Sequence, residues 1–365
     1  MGSRYDDVGV RGQQEEALGA VLRHLGPTLV NAAPYEVLTR FGHYASVLRL
    51  SEDLGLAVCT DGVGSKTMIA ATLDRYDTIG FDCMAMNVND LLCVGARPVA
   101  LVDYLGVNTL DGARTGAILE GLGAAAHEAG VAVVGGELAQ LPGIIGSNGS
   151  DAGDERAFDL TGTGLGVVDP SRVVLGQEVV PGDVLVGLHS SGIHSNGLSL
   201  ARRVLLDSGT YRLDERPSPL ERSLGDELLE PTRLYVAPIR GLWAHGIHPV
   251  GLVHITGDGF FNLCRLEADV GYVIDSLPEE PPVFSLIQKS GDISDAEMFR
   301  VFNMGVGFVA VLRASEVERA LEVLAAAGCP ASVIGAVTER SGTVEIAARG
   351  LVGRLDGPGR FEPPT

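Results

Sequence analysis

Lys66, one of only two lysines in the chain, closes the run Thr60-Asp61-Gly62-Val63-Gly64-Ser65-Lys66 behind the strand-like Leu56-Ala57-Val58-Cys59. Gly62 and Gly64 would let backbone N–H groups approach an anion, Lys66 supplies a compact charge for a phosphate, and Asp61 can hold the accompanying magnesium. The run lacks the Gly-Lys-Ser/Thr of a Walker loop and the Gly-x-Gly-x-x-Gly of a dinucleotide fold, and a tight turn carrying a surface lysine has the same composition. Further on, Asp82, Met86, Asn89 and Asp90 fall at i, i+4, i+7 and i+8, so a helix over 79–94 gathers two carboxylates and an amide on one face. Buried carboxylates need a partner or a cation, and the apolar flanks Met84, Leu91, Leu92 and Val94 favour a polar cleft over a solvated stripe.

Two more acids follow strand-like runs. Glu137 comes after Gly135-Gly136, and Asp103 comes after Val99 to Val102, where a turn-forming aspartate is the commoner meaning. With Asp61 and Asp90, Glu137 is expected to complete a three-carboxylate magnesium site, since three acids in glycine-rich settings need a cation to coexist. The loop Ser190-Ser191-Gly192-Ile193-His194-Ser195-Asn196-Gly197 sets hydroxyls, an imidazole and an amide before a helix, with Ser195 as the expected N-cap. No Gly-x-Ser-x-Gly elbow surrounds His194-Ser195, so the loop reads as a binding loop and not as a nucleophile site.

The elements that must position these residues alternate. Glycine, 49 of 365 residues, gathers into short loops behind apolar strands. Helical spacing covers 13–25, 79–94, 113–129, 195–206, 231–244 and 315–327, which argues an α/β to α+β fold. The Pro- and Gly-punctuated stretch around Val168-Asp169-Pro170 divides the chain into residues 1–168 and 169–365.

Composition narrows the partners. Apolar residues make up 45 % and charged residues 20 % of the chain, as in a globular protein. Lys+Arg 27 against Asp+Glu 47 leaves a net charge of −20 and no basic patch, which argues against nucleic acid or a membrane surface as partner. Five scattered cysteines without a Cys-x-x-Cys pair, and no long apolar run, lead to a cytoplasmic expectation. The sequon Asn148-Gly149-Ser150 and the Met1-Gly2 start are read as without function.

Taken in order, Asp61 to Lys66, Asn87-Val88-Asn89-Asp90-Leu91, Gly135-Gly136-Glu137, Ser190 to Leu200, Pro231 to Val236, His254-Ile255-Thr256-Gly257 and Phe302 to Gly307 resemble the phosphoribosylformylglycinamidine cyclo-ligase (aminoimidazole ribonucleotide synthetase) family from about Tyr44 to Val337. The resemblance implies an N-terminal ATP-binding domain whose sheet is shared in a homodimer, and a C-terminal α+β domain. It also implies ATP- and Mg2+-dependent ring closure of formylglycinamidine ribonucleotide. By that likeness Asp61, Gly62, Gly64, Lys66, Asp90, Asp103, Gly135, Gly136 and Glu137 serve the nucleotide, with Asp61, Asp90 and Glu137 on the metal. Ser191, Gly192, His194, Ser195, Asn196, Thr256 and Gly257 serve the substrate, and Lys66 and His194 are the candidate catalytic groups.

Three segments depart from the family pattern. Glu137-Leu138-Ala139-Gln140 lacks a second acid, Asp258 stands where the family has glycine, and Phe41-Gly42-His43-Tyr44-Ala45 replaces a glycine-rich stretch. A selenophosphate synthetase or small-molecule kinase relative, or a non-catalytic nucleotide-binding homologue, is the alternative. For the first, a cysteine beside an N-terminal glycine loop is wanted, and none precedes Cys59.

Overall fold

The protein is described by a computed structural model covering residues 14–146, 154–355 and 361–362. The Met1-Gly2 start and the Asn148 sequon lie outside them. The first half forms a six-stranded sheet from β1 (Glu36–Val37), β2 (Ser46–Arg49), β3 (Gly55–Gly62), β4 (Arg97–Val107), β5 (Ala132–Gln140) and β6 (Phe158–Val168), in the order β1-β2-β3-β6-β4-β5. Helices α1 (Gln14–Leu25), α2 (Lys66–Leu73), α3 (Ile79–Cys93) and α4 (Gly112–Ala129) belong to the same half. The second half contributes an eight-stranded sheet from β7 (Val184–His189), β8 (Gly251–His254), β9 (Gly271–Ile274), β10 (Val306–Leu312), β11 (Ala331–Thr338), β12 (Thr343–Ile346), β13 (Leu351–Arg354) and β14 (Phe361–Glu362).

Both sheets are mainly antiparallel, with β4/β5 and β9/β12 the parallel pairs, so the α+β end of the expected range describes them. The rule that ligands gather at the carboxyl ends of parallel strands therefore does not locate the site here. Asp103 and Gly135-Gly136-Glu137 accordingly lie inside β4 and β5, not in the turns read from the sequence. Gly136 is required where it stands: a Cβ on it would come within 2.3 Å of an Asp103 carboxylate oxygen.

The first sheet has two unlike faces. Ala57, Cys59, Leu101, Leu105 and Leu160 point to one side and are buried beneath the helices. Leu56, Val58, Leu165, Val167 and Val102 point to the other and stay only half-buried, and Tyr104 beside them is 39 % exposed. The interior helix α3 is buried over nearly its whole length, because its second side meets the other half of the chain.

That contact also resets two helix starts. In the second half α5 (Leu198–Arg202), α6 (Leu224–Leu228) and α7 (Val236–Ala244) follow one another, and the helix expected over 231–244 begins only with α7, at Val236. The first five residues of that stretch are non-helical and bond to α3 through Thr232 and Tyr235. The helix expected from residue 195 begins at Leu198 behind Gly197, at φ 78°, with no side-chain cap; the Ser195 hydroxyl is committed elsewhere. Among the described residues no helix is long and apolar enough to cross a membrane.

Candidate active site

The polar face of α3 is a seam between the two halves, not the wall of an open cleft. At its N-terminal end Asp82 is fully buried and accepts from the Thr232 N–H at 2.8 Å, the Thr232 hydroxyl at 2.6 Å and the Ser195 hydroxyl at 3.0 Å. Lys66 Nζ lies 2.9 and 2.8 Å from its two oxygens and donates to the Glu230 carbonyl at 2.5 Å. Lys66 begins α2 with no solvent exposure, so its ammonium is not held out over a phosphate cradle as the glycine run suggested. Burial holds its pKa below the usual lysine value against the pull of Asp82. Beside it, the Ser65 and Ser199 hydroxyls meet at 3.0 Å. Halfway along α3, Asn89 donates to the Arg233 carbonyl at 2.9 Å and accepts from the Tyr235 N–H at 3.0 Å.

The C-terminal end differs. Asp90 Oδ1 lies 2.8 Å from His254 Nδ1, and His254 Nε2 has no partner among the described residues. Asp61 closes β3 opposite, held by the Asn87 amide, which donates to its carbonyl at 3.1 Å and accepts from its N–H at 3.2 Å. The Asp61 carboxyl accepts from Gly62 N–H at 2.7 Å. Burial and then the charge of Asp90 push it up to about 6, against the Gly62 N–H and the Arg265 charge. Gly64, at φ +70° with open space around it, turns the chain from β3 into α2.

Of Asp61, Asp90 and Glu137, the three carboxylates expected to share a cation, Glu137 stands apart, and Asp103, expected with them at the nucleotide, is distant from Asp61. Asp61 and Asp103 both pair with Gly162 and point to the α3 side, flanking it across β6 and so about 10 Å apart at a strand spacing of about 4.8 Å. Glu137 pairs with Tyr104 in the next row, so it faces the opposite side of the sheet and is exposed. Among the described residues no group of three or more His, Cys, Asp or Glu side chains converges on a metal position. Asp61 and Asp90 are near enough for the charge of one to act on the other, and one or two carboxylates are what Mg2+ takes alongside water and phosphate oxygens.

The substrate-loop residues are brought together, though several of their donors are occupied. Ser191 donates its hydroxyl to the Pro231 carbonyl at 2.5 Å, and its N–H to His194 Nε2 at 3.2 Å. His194, at φ 62° and 1 % exposed, is held neutral by burial, its pKa well below the usual histidine value. Gly307 makes room for it: a Cβ there would stand 2.5 Å from the His194 ring and 2.1 Å from the Tyr235 hydroxyl. Asn303 ties the loop by donating to the Gly192 carbonyl at 2.9 Å and accepting from the Ser190 hydroxyl at 2.9 Å. Asn196 reaches both Met86 of α3 and Gly257, while Thr256 is anchored through its N–H to Asn262 at 2.6 Å.

Sequence reasoning missed Asn87 as the clamp on Asp61, Thr232 as the partner of Asp82, and the group formed by Tyr44, Asn262 and Arg265. Asn87 sits one helical turn from Asp90, a spacing that could have flagged it; the others are joined to the site only through long-range contacts. His43, in the departing segment, packs edge-on to Tyr44 at 5.7 Å, and burial drops its pKa to about 4. A cavity of about 560 Å³ lies elsewhere, beside the connector 169–178, and none of the candidate residues lines it.

The chain has relatives among known proteins over most of its length. The N-terminal domain of AIR synthase related protein matches residues 42–168 and its C-terminal domain matches residues 180–347. A phosphoribosylformylglycinamidine cyclo-ligase of Methanothermobacter thermautotrophicus is 48 % identical over 94 % of this chain and 97 % of its own. One from Methanocaldococcus jannaschii is 42 % identical over 86 % and 85 %. Among solved structures, thiamine-monophosphate kinase from Stenotrophomonas maltophilia shares the fold at TM-score 0.59 and 19 % identity, covering 90 % of this chain and 96 % of its own. Thermotoga maritima PurL complexed with ADP does so at TM-score 0.55 and 17 % identity, over 85 % and 44 %.

Proposed function

Because the chain belongs to the phosphoribosylformylglycinamidine cyclo-ligase family, we propose that it closes the imidazole ring of formylglycinamidine ribonucleotide at the expense of ATP, yielding aminoimidazole ribonucleotide, ADP and phosphate. The observation that carries the reading is the C-terminal end of α3, where Asp90 has His254 against it and lies near enough for its charge to act on Asp61. Phosphoryl transfer to the formamide oxygen turns a poor leaving group into phosphate, and the amidine nitrogen then attacks the activated carbon. Such chemistry asks the protein for positioning and charge neutralisation.

Asp61 and Asp90 would hold Mg2+, which supplies charge neutralisation at the transferred phosphoryl group. Asn87 orients Asp61, and His254 orients Asp90. Gly62 and Gly64 keep backbone close to the nucleotide, while the loops through Asn196 and Gly257 take the ribonucleotide, with Ser191 and Ser195 shaping the loop. Lys66 acts through Asp82, Ser195 and Thr232, by fixing how the halves meet. On this reading residues 1–168 carry the nucleotide and residues 169–365 the ribonucleotide.

The uncovered face of the first sheet supports a homodimer, a second copy covering Leu56, Val58, Val102 and Tyr104 and bringing Glu137 into the interface. Static light scattering at micromolar concentration should return twice the chain mass; the chain mass alone would contradict the dimer. For the reaction, a single-turnover assay with synthetic formylglycinamidine ribonucleotide, ATP and Mg2+ should give ADP, phosphate and the ring-closed product in equal amounts. ATP cleavage without ring closure would contradict it.

A further inference from the structure

With Lys66 held by Asp82, the anionic ligands of the proposed site need a different cation. Arg265 ends the 3₁₀ segment Gly259–Arg265, and its guanidinium lies over the Tyr44 ring at 4.8 Å from the centroid. Tyr44 is itself fixed, its hydroxyl donating to the His254 carbonyl at 2.9 Å, so the planar donor is set beside the residue that orients Asp90. The side chain remains 32 % exposed. Its carboxylate contact is loose: Nη2 to Asp258 Oδ2 spans 3.5 Å, against about 2.7–2.9 Å for a strong charge-assisted bond. The charges of Asp90 and Asp258 both act on it, and its own acts on Asp61.

We propose that Arg265 is the phosphate-binding cation of this site and that Asp258 holds its guanidinium against Tyr44 until a phosphoryl group replaces that contact. The inference rests on the proposed function and adds a specific ligand group to it. It also gives Asp258, the acid standing where the family has glycine, a role as the competing anion. The same oxyanion chemistry is offered by the ATP phosphates and by the 5′-phosphate of the ribonucleotide, so the two must be titrated separately.

Calorimetric titrations of a non-hydrolysable ATP analogue with Mg2+, and of the ribonucleotide, should be run on the wild-type protein, Arg265→Met and Asp258→Asn. Arg265→Met should weaken one of the two ligands by about tenfold, the worth of one charge-assisted contact. Asp258→Asn should tighten that same ligand by about two- to fivefold, because the competing charge is gone. Both variants are first checked for a wild-type unfolding midpoint, and Arg265→Lys, which keeps charge without the planar stack, should fall between. Unchanged affinities for both ligands in Arg265→Met, or weakening in both variants alike, would overturn the proposal. Opposite shifts in a protein that binds yet forms no ring would uphold it while refuting the reaction.

Discussion

The two ends of α3 carry the same kind of residue and do different work. Asp82 and Asp90 are two turns apart on one helix, both set against the C-terminal half. Asp82 is enclosed by Lys66, Ser195 and Thr232 and spends its charge within the protein. Among the described residues Asp90 has one histidine partner and no buried lysine against it, and its charge acts on Asp61 and on the partly exposed Arg265. A buried acid at a domain seam can thus be either a latch or a ligand, and the cation already present decides which.

Breaking the latch should cost the most. Asp82→Ala leaves the Lys66 ammonium buried and unpaired, so denaturant titration should show a loss of about 3–5 kcal/mol, and replacing both residues by apolar ones should recover most of it. A loss below about 1 kcal/mol would remove the distinction between the ends.

Asp61 sharpens the other side. Its folded-state pKa of about 6 lies above the ordinary 3.8, so between pH 4 and 6 the native state binds more protons than the unfolded one. This contribution to stability is therefore present at pH 4, falls as pH rises to 6 by up to about 3 kcal/mol, and is level above. Asp61→Asn should flatten that slope in pH-dependent denaturation. Affinity for Mg2+ should rise through the same window, since the cation needs the ionised carboxylate.

Asp90→Asn should reduce ring closure at least about 100-fold while moving stability by no more than about 1 kcal/mol, the reverse of the Asp82 pattern. Steady-state kinetics paired with a melting curve would check both halves of that statement. Smaller still is His194→Ala, for which turnover should fall about tenfold with the affinity for ATP nearly unchanged. Lost ATP affinity instead would mean that the substrate loop has been assigned to the wrong ligand.

Much of this was legible in residue order. The span of α3 follows from its apolar periodicity, and the sequence reading ended it one residue late. The acids of the open end, Asp61 and Asp90, stood out by their glycine and apolar surroundings. What misled was local chemistry overruled at long range. Residues 231–235 read as helix but are non-helical, with the Thr232 N–H committed to Asp82 and the Tyr235 N–H to Asn89. Ser195 read as a cap, yet its hydroxyl serves Asp82 across 113 positions. Lys66 read as a phosphate ligand since nothing in its own loop reveals the partner 16 residues on. Gly135-Gly136 read as a loop, although the second glycine is there to admit the Asp103 carboxyl inside a strand.

The most direct test of the difference between the two ends is a crystal structure of the protein with Mg2+ and ADP bound. That structure should show the cation on Asp61 and Asp90 with Lys66 Nζ still on Asp82. A structure in which Lys66 has left Asp82 for the nucleotide phosphates, with the metal on other residues, would contradict it.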